Sequence, residues 1–304
     1  MLRLYTLLFY LLVPFILLRL QWRGLRSPGY RQRWSERFGF FPPFAIKQSI
    51  WIHAVSVGEV MATERLVKRL LEAHPDLPVV ITTTTPTGSE RVSTLFGDSV
   101  LHVYAPYDLP FALRNFILRA RPRLLVMMET EIWPNMLAVC ERQGIPTILA
   151  NARLSEKSAY NYAKWPGFTR MILGMIGLVA AQGKSDAERF IALGMPRDRI
   201  SITGSIKFDS RIPASLLERS EVLRREWSDR PVWVAASTQE GEDEKILDAH
   251  KIIQETVPNA LLVLVPRHPE RFDKVFALCK REKFNCVRRS SGKPCGSDVE
   301  VFLG

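Results

Sequence analysis

From residue 50 onward, short apolar runs alternate with amphipathic segments. The runs 50–55, 79–84, 100–104, 124–128, 147–151, 177–181 and 200–203 have strand length and carry no polar face. That pattern predicts a sheet buried on both sides. The segments between them, 60–73, 88–96, 109–120, 134–143, 157–175 and 185–193, predict helices. In the first, Val60, Leu66, Val67, Leu70 and Leu71 recur at helical spacing, while Glu64, Arg65, Lys68 and Arg69 fill the polar side. Strand–helix alternation at this spacing predicts an α/β domain with a parallel sheet and right-handed crossovers. The rhythm breaks over 208–231, which is polar and carries Pro213 and Pro231. We read 211–231 as a connector holding one helix. A second α/β series follows, with strands at 232–236, 261–265, 285–288 and 299–302 and helices at 242–256 and 269–281. The resulting divisions are 1–22, 23–210, 211–231 and 232–304. The last strand closes on Phe302-Leu303-Gly304 with no helix after it. An exposed apolar face is therefore expected there, and an incomplete second domain.

The first fifty residues follow a different pattern. Residues 4–18 are almost wholly apolar, interrupted by Tyr5, Thr6, Tyr10 and Pro14. Arg19-Leu20-Gln21-Trp22-Arg23 follows where a secretory signal would carry a small-residue cleavage site. The run is marginal for crossing a bilayer, which takes about 20 residues. It is expected either to span with its arginines snorkelling or to lie partly in the membrane. Charge supports a membrane location. Residues 1–50 hold eight basic residues against Glu36 alone, or +7 of the chain's net +11. The stretch from Arg23 to Arg37, interleaved with Trp22, Tyr30, Trp34 and Phe38, suits anionic inner-membrane lipids on the cytoplasmic face. No nucleic-acid-binding fingerprint accompanies it, so no nucleic-acid partner is expected.

Four constellations carry candidate chemistry, each at the carboxyl end of an expected strand, where open α/β sheets bind ligands. The first is His53-x-x-Ser56-x-Gly58-Glu59. There Glu59 begins a helix whose amides are expected to favour its ionised form. On spacing alone Glu59 reads equally as a helix-start acid or a catalytic base, and His53 as a core histidine. The second is Glu129-Thr130-Glu131-Ile132-Trp133-Pro134-Asn135. Two carboxylates directly after a buried strand suit proton abstraction and stabilisation of an oxocarbenium-like transition state. For Glu131 the role of helix N-terminal acid is the better account. The third, Gly204-Ser205-Ile206-Lys207, places a lysine where it would neutralise a phosphate or carboxylate. The fourth, Val265-Pro266-Arg267-His268-Pro269, opens a helix and offers Arg267 and amide groups to a phosphate, with Ser237-Thr238 at the equivalent strand end.

The first strand is not followed by GxGxxG, and the chain has neither a P-loop signature nor a GxSxG elbow. Cys140, Cys279, Cys286 and Cys295 form no CxxC pair, so reduced thiols are expected, with neither zinc nor a disulfide framework.

Several short motifs occur together and in order. They are Arg33-Trp34-x-Glu36-Arg37-Phe38-Gly39, the 53–59 motif, Thr82-Thr83-Thr84 with Thr87-Gly88, and the 129–135 motif. Asn151-Ala152-Arg153-Leu154-Ser155, 204–209 and 266–270 complete the set. In this combination the chain resembles the bacterial 3-deoxy-D-manno-octulosonic acid (Kdo) transferases of lipopolysaccharide synthesis. The resemblance implies a glycosyltransferase of the GT-B class, two Rossmann-like domains facing a cleft, anchored at the inner membrane. It implies an inverting transfer of Kdo from CMP-Kdo to a lipid A precursor, with no cofactor and no metal. Carried onto this chain, it makes Glu59 the general base, gives Glu129 and Lys207 to transition-state stabilisation, and assigns Arg267 and His268 to CMP. It also implies further CMP-binding loops beyond Gly304, so residues 1–304 alone are expected to transfer Kdo poorly. Two alternatives share part of the pattern. One is another glycosyltransferase or a nucleotide-sugar epimerase of this fold, although an epimerase has no use for a lipid anchor. The other is a non-catalytic protein holding anionic lipid, which leaves Glu59 and Glu129 unexplained.

Overall fold

The computed structural model describes residues 1–209 and 214–304; the start of the expected connector lies outside the described residues. The chain divides into two compact units, Met1–Ser210 and Arg211–Gly304. The first unit opens with α1 (Leu2–Arg26) and two 3-10 turns. Then follow β1 (Ser49–His53), α2 (Val57–Ala73), β2 (Val79–Thr83), α3 (Pro86–Phe96), β3 (Leu101–Tyr104), α4 (Pro110–Ala120), β4 (Pro122–Met128) and α5 (Pro134–Arg142). The unit continues through β5 (Thr147–Ala152), α6 (Glu156–Ala163), α7 (Pro166–Gly174), β6 (Leu178–Ala181), α8 (Lys184–Ala192) and β7 (Ile200–Ile202). All seven expected strands are present and pair in parallel in the order β3-β2-β1-β4-β5-β6-β7.

Both faces of this sheet are covered, which explains the unbroken apolar runs. Along β1, Ile50 and Ile52 pack with Val60 and Val67 of α2. Trp51 points to the opposite side, among Leu113 and Phe116 of α4 and Leu137 of α5. Along β4, Val126 and Met128 join the first cluster, and Leu125 and Met127 the second. The alternation is that of a pleated strand whose two faces are both core.

One expected helix is two. The segment 157–175 breaks between α6 and α7 at Trp165-Pro166. Proline lacks the amide a continuing helix needs and drives the residue before it out of the helical region, and Trp165 sits at φ −125°, ψ 61°.

The basic stretch also departs from expectation. Arg37 is buried, donates to the Thr84 carbonyl at 3.0 Å and lies over the Tyr104 ring. Arg33 donates to Glu36, to Ser89 and to the His102 carbonyl. These two cations are staples holding the 3-10 segment to the carboxyl ends of β2 and β3, rather than membrane contacts. Their aromatic neighbours are sites for cation–π packing.

The second unit holds α9 (Ala214–Glu226), β8 (Val232–Thr238), α10 (Asp243–Thr256), β9 (Leu261–Pro266), α11 (Phe272–Arg281), β10 (Cys286–Arg288) and β11 (Val301–Leu303). Its parallel sheet runs β10-β11-β9-β8. The final strand is internal to that sheet, and its residues are buried on both sides. Val301 and Leu303 pack with Leu247, Val275 and Cys279. Phe302 packs with Cys295 and Val299, and edge-on against Trp227. The apolar face expected to be open at these residues is covered by the 295–299 loop and by Trp227.

Candidate active site

β1 ends at His53, and the chain turns through Ala54-Val55-Ser56 into α2. Ser56 is the N-cap: its hydroxyl accepts from the Glu59 amide. The same hydroxyl donates to Glu59 Oε1 at 2.6 Å, and Val55 N–H donates to Oε2 at 2.9 Å. The arrangement is a capping box whose return bond reaches one residue upstream of the usual amide. Glu59 is 5% exposed. Burial pushes its carboxyl up to about 7, against the pull of the Ser56 and Val55 hydrogen bonds, and Glu131 and Glu129 push in the same direction as burial. Helix amides were expected to favour the ionised form; desolvation outweighs them because little water reaches the group.

β1 and β4 are neighbours at the centre of the sheet, where strand order reverses. This is the switch point at which open α/β sheets bind ligands. Glu59 leaves the carboxyl end of one of these strands and Glu129 the other. Glu129 is half-buried and adopts a left-handed backbone at φ 57°, while its amide still donates to Ala150 O at 2.8 Å. A non-glycine residue in that region costs about 1 kcal/mol or more and persists where the surroundings over-determine it. The bend separates the Glu129 side chain from the strand ladder.

Glu131 does not lie in the first turn of α5, as expected of a helix-start acid. It accepts from Trp133 Nε1 at 2.9 Å. The first amides of α5 are taken instead by Asp108, whose carboxylate accepts from Asn135 N at 3.0 Å and Met136 N at 2.7 Å. Trp133 stands edge-on against His53, with ring centroids 4.6 Å apart. His53 is fully buried, and burial lowers its pKa to about 3, so it is neutral at physiological pH. Its Nδ1 pairs with Thr82 Oγ1 at 2.9 Å, and Nε2 has no partner. It is a core histidine with one ring nitrogen unsatisfied.

After β7 a 3-10 turn, Ile206–Asp209, packs against α2. Ile206 N donates to Asn151 Oδ1 at 3.2 Å, tying the turn to the end of β5. Lys207 is exposed on that turn. The first unit thus gathers Glu59, Glu129, Glu131 and the Lys207 turn at the carboxyl edge of its sheet.

Arg267 and His268 belong to the second unit and are exposed in the loop after β9. Arg267 N continues the ladder to the Thr238 carbonyl. The helix expected from residue 269 begins with a 3-10 turn, Pro269–Arg271, and α11 proper starts at Phe272. Of the pair at the neighbouring strand end, Ser237 is exposed with φ 60°. Thr238 is buried and donates to Asp243 at 2.6 Å, and Arg271 pairs with the same carboxylate. Thr238 is therefore committed to holding the loop.

Two residues escaped the sequence reading. Asn151, at φ 55° and buried, has its Nδ2 unsatisfied. Asparagine after a strand, tolerant of left-handed backbone, was the available signal. Asp108 precedes Leu109-Pro110 and reads locally as a cap for α4. Its partners lie 27 and 28 residues away, beyond any local pattern.

Comparison with known proteins follows this geometry. The profile of the family described as 3-deoxy-D-manno-octulosonic-acid transferase (kdotransferase) matches residues 32–210. The chain is 45% identical over 306 residues to a 3-deoxy-D-manno-octulosonic acid transferase of Haemophilus influenzae, covering 99% of this chain and 71% of that one. It is 36% identical over 318 residues to a protein of the same name from Bordetella pertussis, covering 99% and 72%. Among solved structures, UDP-GlcNAc 2-epimerase from Neisseria meningitidis bound to UDP-GlcNAc matches with a TM-score of 0.56 at 13% identity, covering 84% of this chain and 71% of that one. That likeness is of the fold alone, in the GT-B class.

Proposed function

Because the chain belongs to the 3-deoxy-D-manno-octulosonic-acid transferase family, we propose that it moves Kdo from CMP-Kdo to a hydroxyl of a lipid A precursor at the cytoplasmic face of the inner membrane. The reaction forms a bond from the acceptor oxygen to the anomeric carbon and breaks the bond from that carbon to the phosphate oxygen, releasing CMP. Glu59 takes the acceptor proton. The observation that carries this role is a buried carboxyl at the sheet's switch point, held at two oxygens and raised to about 7, where a base is both largely available and strong near neutral pH.

Glu129, at the end of the adjacent strand, stabilises positive charge developing on the sugar ring. Lys207 offsets the Kdo carboxylate or the departing phosphate, and Arg267 and His268 hold CMP. The reading assigns charge neutralisation to these side chains and needs no metal. Anionic lipids and the acceptor are met through α1 and its basic flanks.

The test is transfer of labelled Kdo from CMP-Kdo to the lipid acceptor. Glu59→Gln is expected to lose about 10²–10⁴-fold in rate with acceptor binding retained. Unchanged transfer removes Glu59 from the mechanism.

A further inference from the structure

The exposure of α1 repeats with the period of a helix. Leu2, Tyr5, Phe9, Val13, Ile16 and Leu20 form a covered or half-covered stripe. On the opposite face Leu4, Leu7, Leu8, Leu11, Phe15 and Leu18 are 52–68% exposed. A helix that is apolar all round is thus covered along one side only.

The covered side touches the first unit at both ends. Near the start, Tyr5 OH donates to Asp108 Oδ2 at 2.9 Å, and Thr6 Oγ1 donates to Asn135 Oδ1 at 2.7 Å. The Tyr10 ring stacks on Phe111 of α4. Near the end, Arg23 donates to Tyr30 OH at 2.7 Å and lies over its ring. The 25 residues of α1 span about 37 Å at 1.5 Å each, whereas a bilayer's hydrocarbon is about 30 Å thick. A helix crossing that layer places its two ends on opposite sides. Here both ends are bonded to the same polar unit, and Asp108 and Asn135 would have to cross with it.

Charge points the same way. A spanning helix concentrates its cations at one end. α1 carries Arg3 at its start and Arg19 and Arg23 near its end. Beside its start is a groove lined by Arg3, Arg114 and Arg142 together with Glu141. None of these three arginines forms an ion pair among the described residues. Both ends of the helix are therefore suited to one anionic surface.

We propose that α1 lies in the plane of the bilayer, its uncovered face in the acyl layer of one leaflet and its flanking arginines among anionic headgroups, without crossing. The proposal rests on the membrane attachment proposed above and fixes its geometry. The occupant of the uncovered face is lipid. An in-plane helix also holds the switch-point site beside the headgroup layer from which a lipid acceptor is drawn.

The experiment fuses an epitope tag ahead of Met1 in the full chain and exposes membrane vesicles of both orientations to protease. Cleavage of the tag only in inverted vesicles, where the cytoplasmic face is outside, is expected. Cleavage only in right-side-out vesicles overturns the in-plane helix while leaving attachment intact. A chain found wholly in the soluble fraction overturns attachment and the in-plane helix together. With purified protein, Leu11→Asp is expected to abolish vesicle binding with an unchanged melting temperature, since that face touches no protein. The combined Arg3→Ala, Arg114→Ala and Arg142→Ala variant is expected to bind vesicles rich in phosphatidylglycerol at least about ten-fold more weakly, and phosphatidylcholine vesicles no differently. A lipid-free dimer that Leu11→Asp dissociates, with vesicle binding intact, assigns the face to a second copy and overturns the proposal.

Discussion

Glu59 illustrates how one side chain serves two ends. It closes the capping box with Ser56, a structural role, and it is buried as an acid with a pKa of about 7. Its folded pKa lies above the ordinary carboxylate value, so its ionised form is disfavoured by the fold, and stability falls as pH rises from about 4.5 through 7. Glu59→Gln removes that penalty. Melting temperatures are expected to match wild type at pH 5 and to exceed it at pH 8, even though transfer is lost. A variant destabilised at pH 8 contradicts the burial argument. Ser56→Ala has the opposite character. It deletes the cap, at a cost of about 1 kcal/mol. It also deletes a hydrogen bond that favours the ionised carboxylate, so the acid limb of the rate–pH profile is expected to move to higher pH. His53, in the same motif, contributes packing: it is neutral in the core and carries no charge near pH 7. The spacing of the 53–59 motif announced a strand, a turn and a capped helix. The pKa was hidden, because it depends on which elements exclude water from the carboxylate.

At the scale of elements, strands were legible because a doubly covered parallel sheet makes every strand position apolar. Helix boundaries were less so, and proline governs the differences, at Pro166 and at Pro269. The cap of α5 shows the limit of local reading. Its amides are served by Asp108 from the loop before α4, and the same carboxylate accepts from Tyr5 of α1. Burial raises Asp108 to about 6 against three hydrogen bonds that pull it down. Asp108→Ala is expected to cost about 2–4 kcal/mol in denaturant unfolding, since it strands two helix amides and the Tyr5 hydroxyl. Tyr5→Phe removes one of these bonds and is expected to cost about 1 kcal/mol. Gly39 sits at φ 77°, where a Cβ would stand 2.2 Å from the Ala112 carbonyl oxygen. Gly39→Ala is therefore expected to lose about 2 kcal/mol or more in the same measurement. That glycine, read in the sequence as part of a family motif, is a packing device that lets the basic segment approach α4.

For the whole molecule, the amino-acid order determined two α/β units, a parallel sheet in each, an apolar first helix beside concentrated positive charge, and acids at strand ends. Each of these follows from periodicity or from residue types adjacent in the chain, and physics at that range is local. The fold alone decided which strand ends meet. Glu59 and Glu129, 70 positions apart, became neighbours because β1 pairs with β4, while β2 and β3 fill the other flank. It decided that Arg33 and Arg37, which read as membrane cations, are instead bound inside the first unit, because the ends of β2 and β3 offer them carbonyls and an aromatic ring. It decided that the last strand is internal and covered. Above all it decided the disposition of α1. Length and hydropathy leave spanning and lying flat equally open, since both need an apolar helix. Only the bonds from Tyr5, Thr6 and Arg23 to one and the same unit separate them.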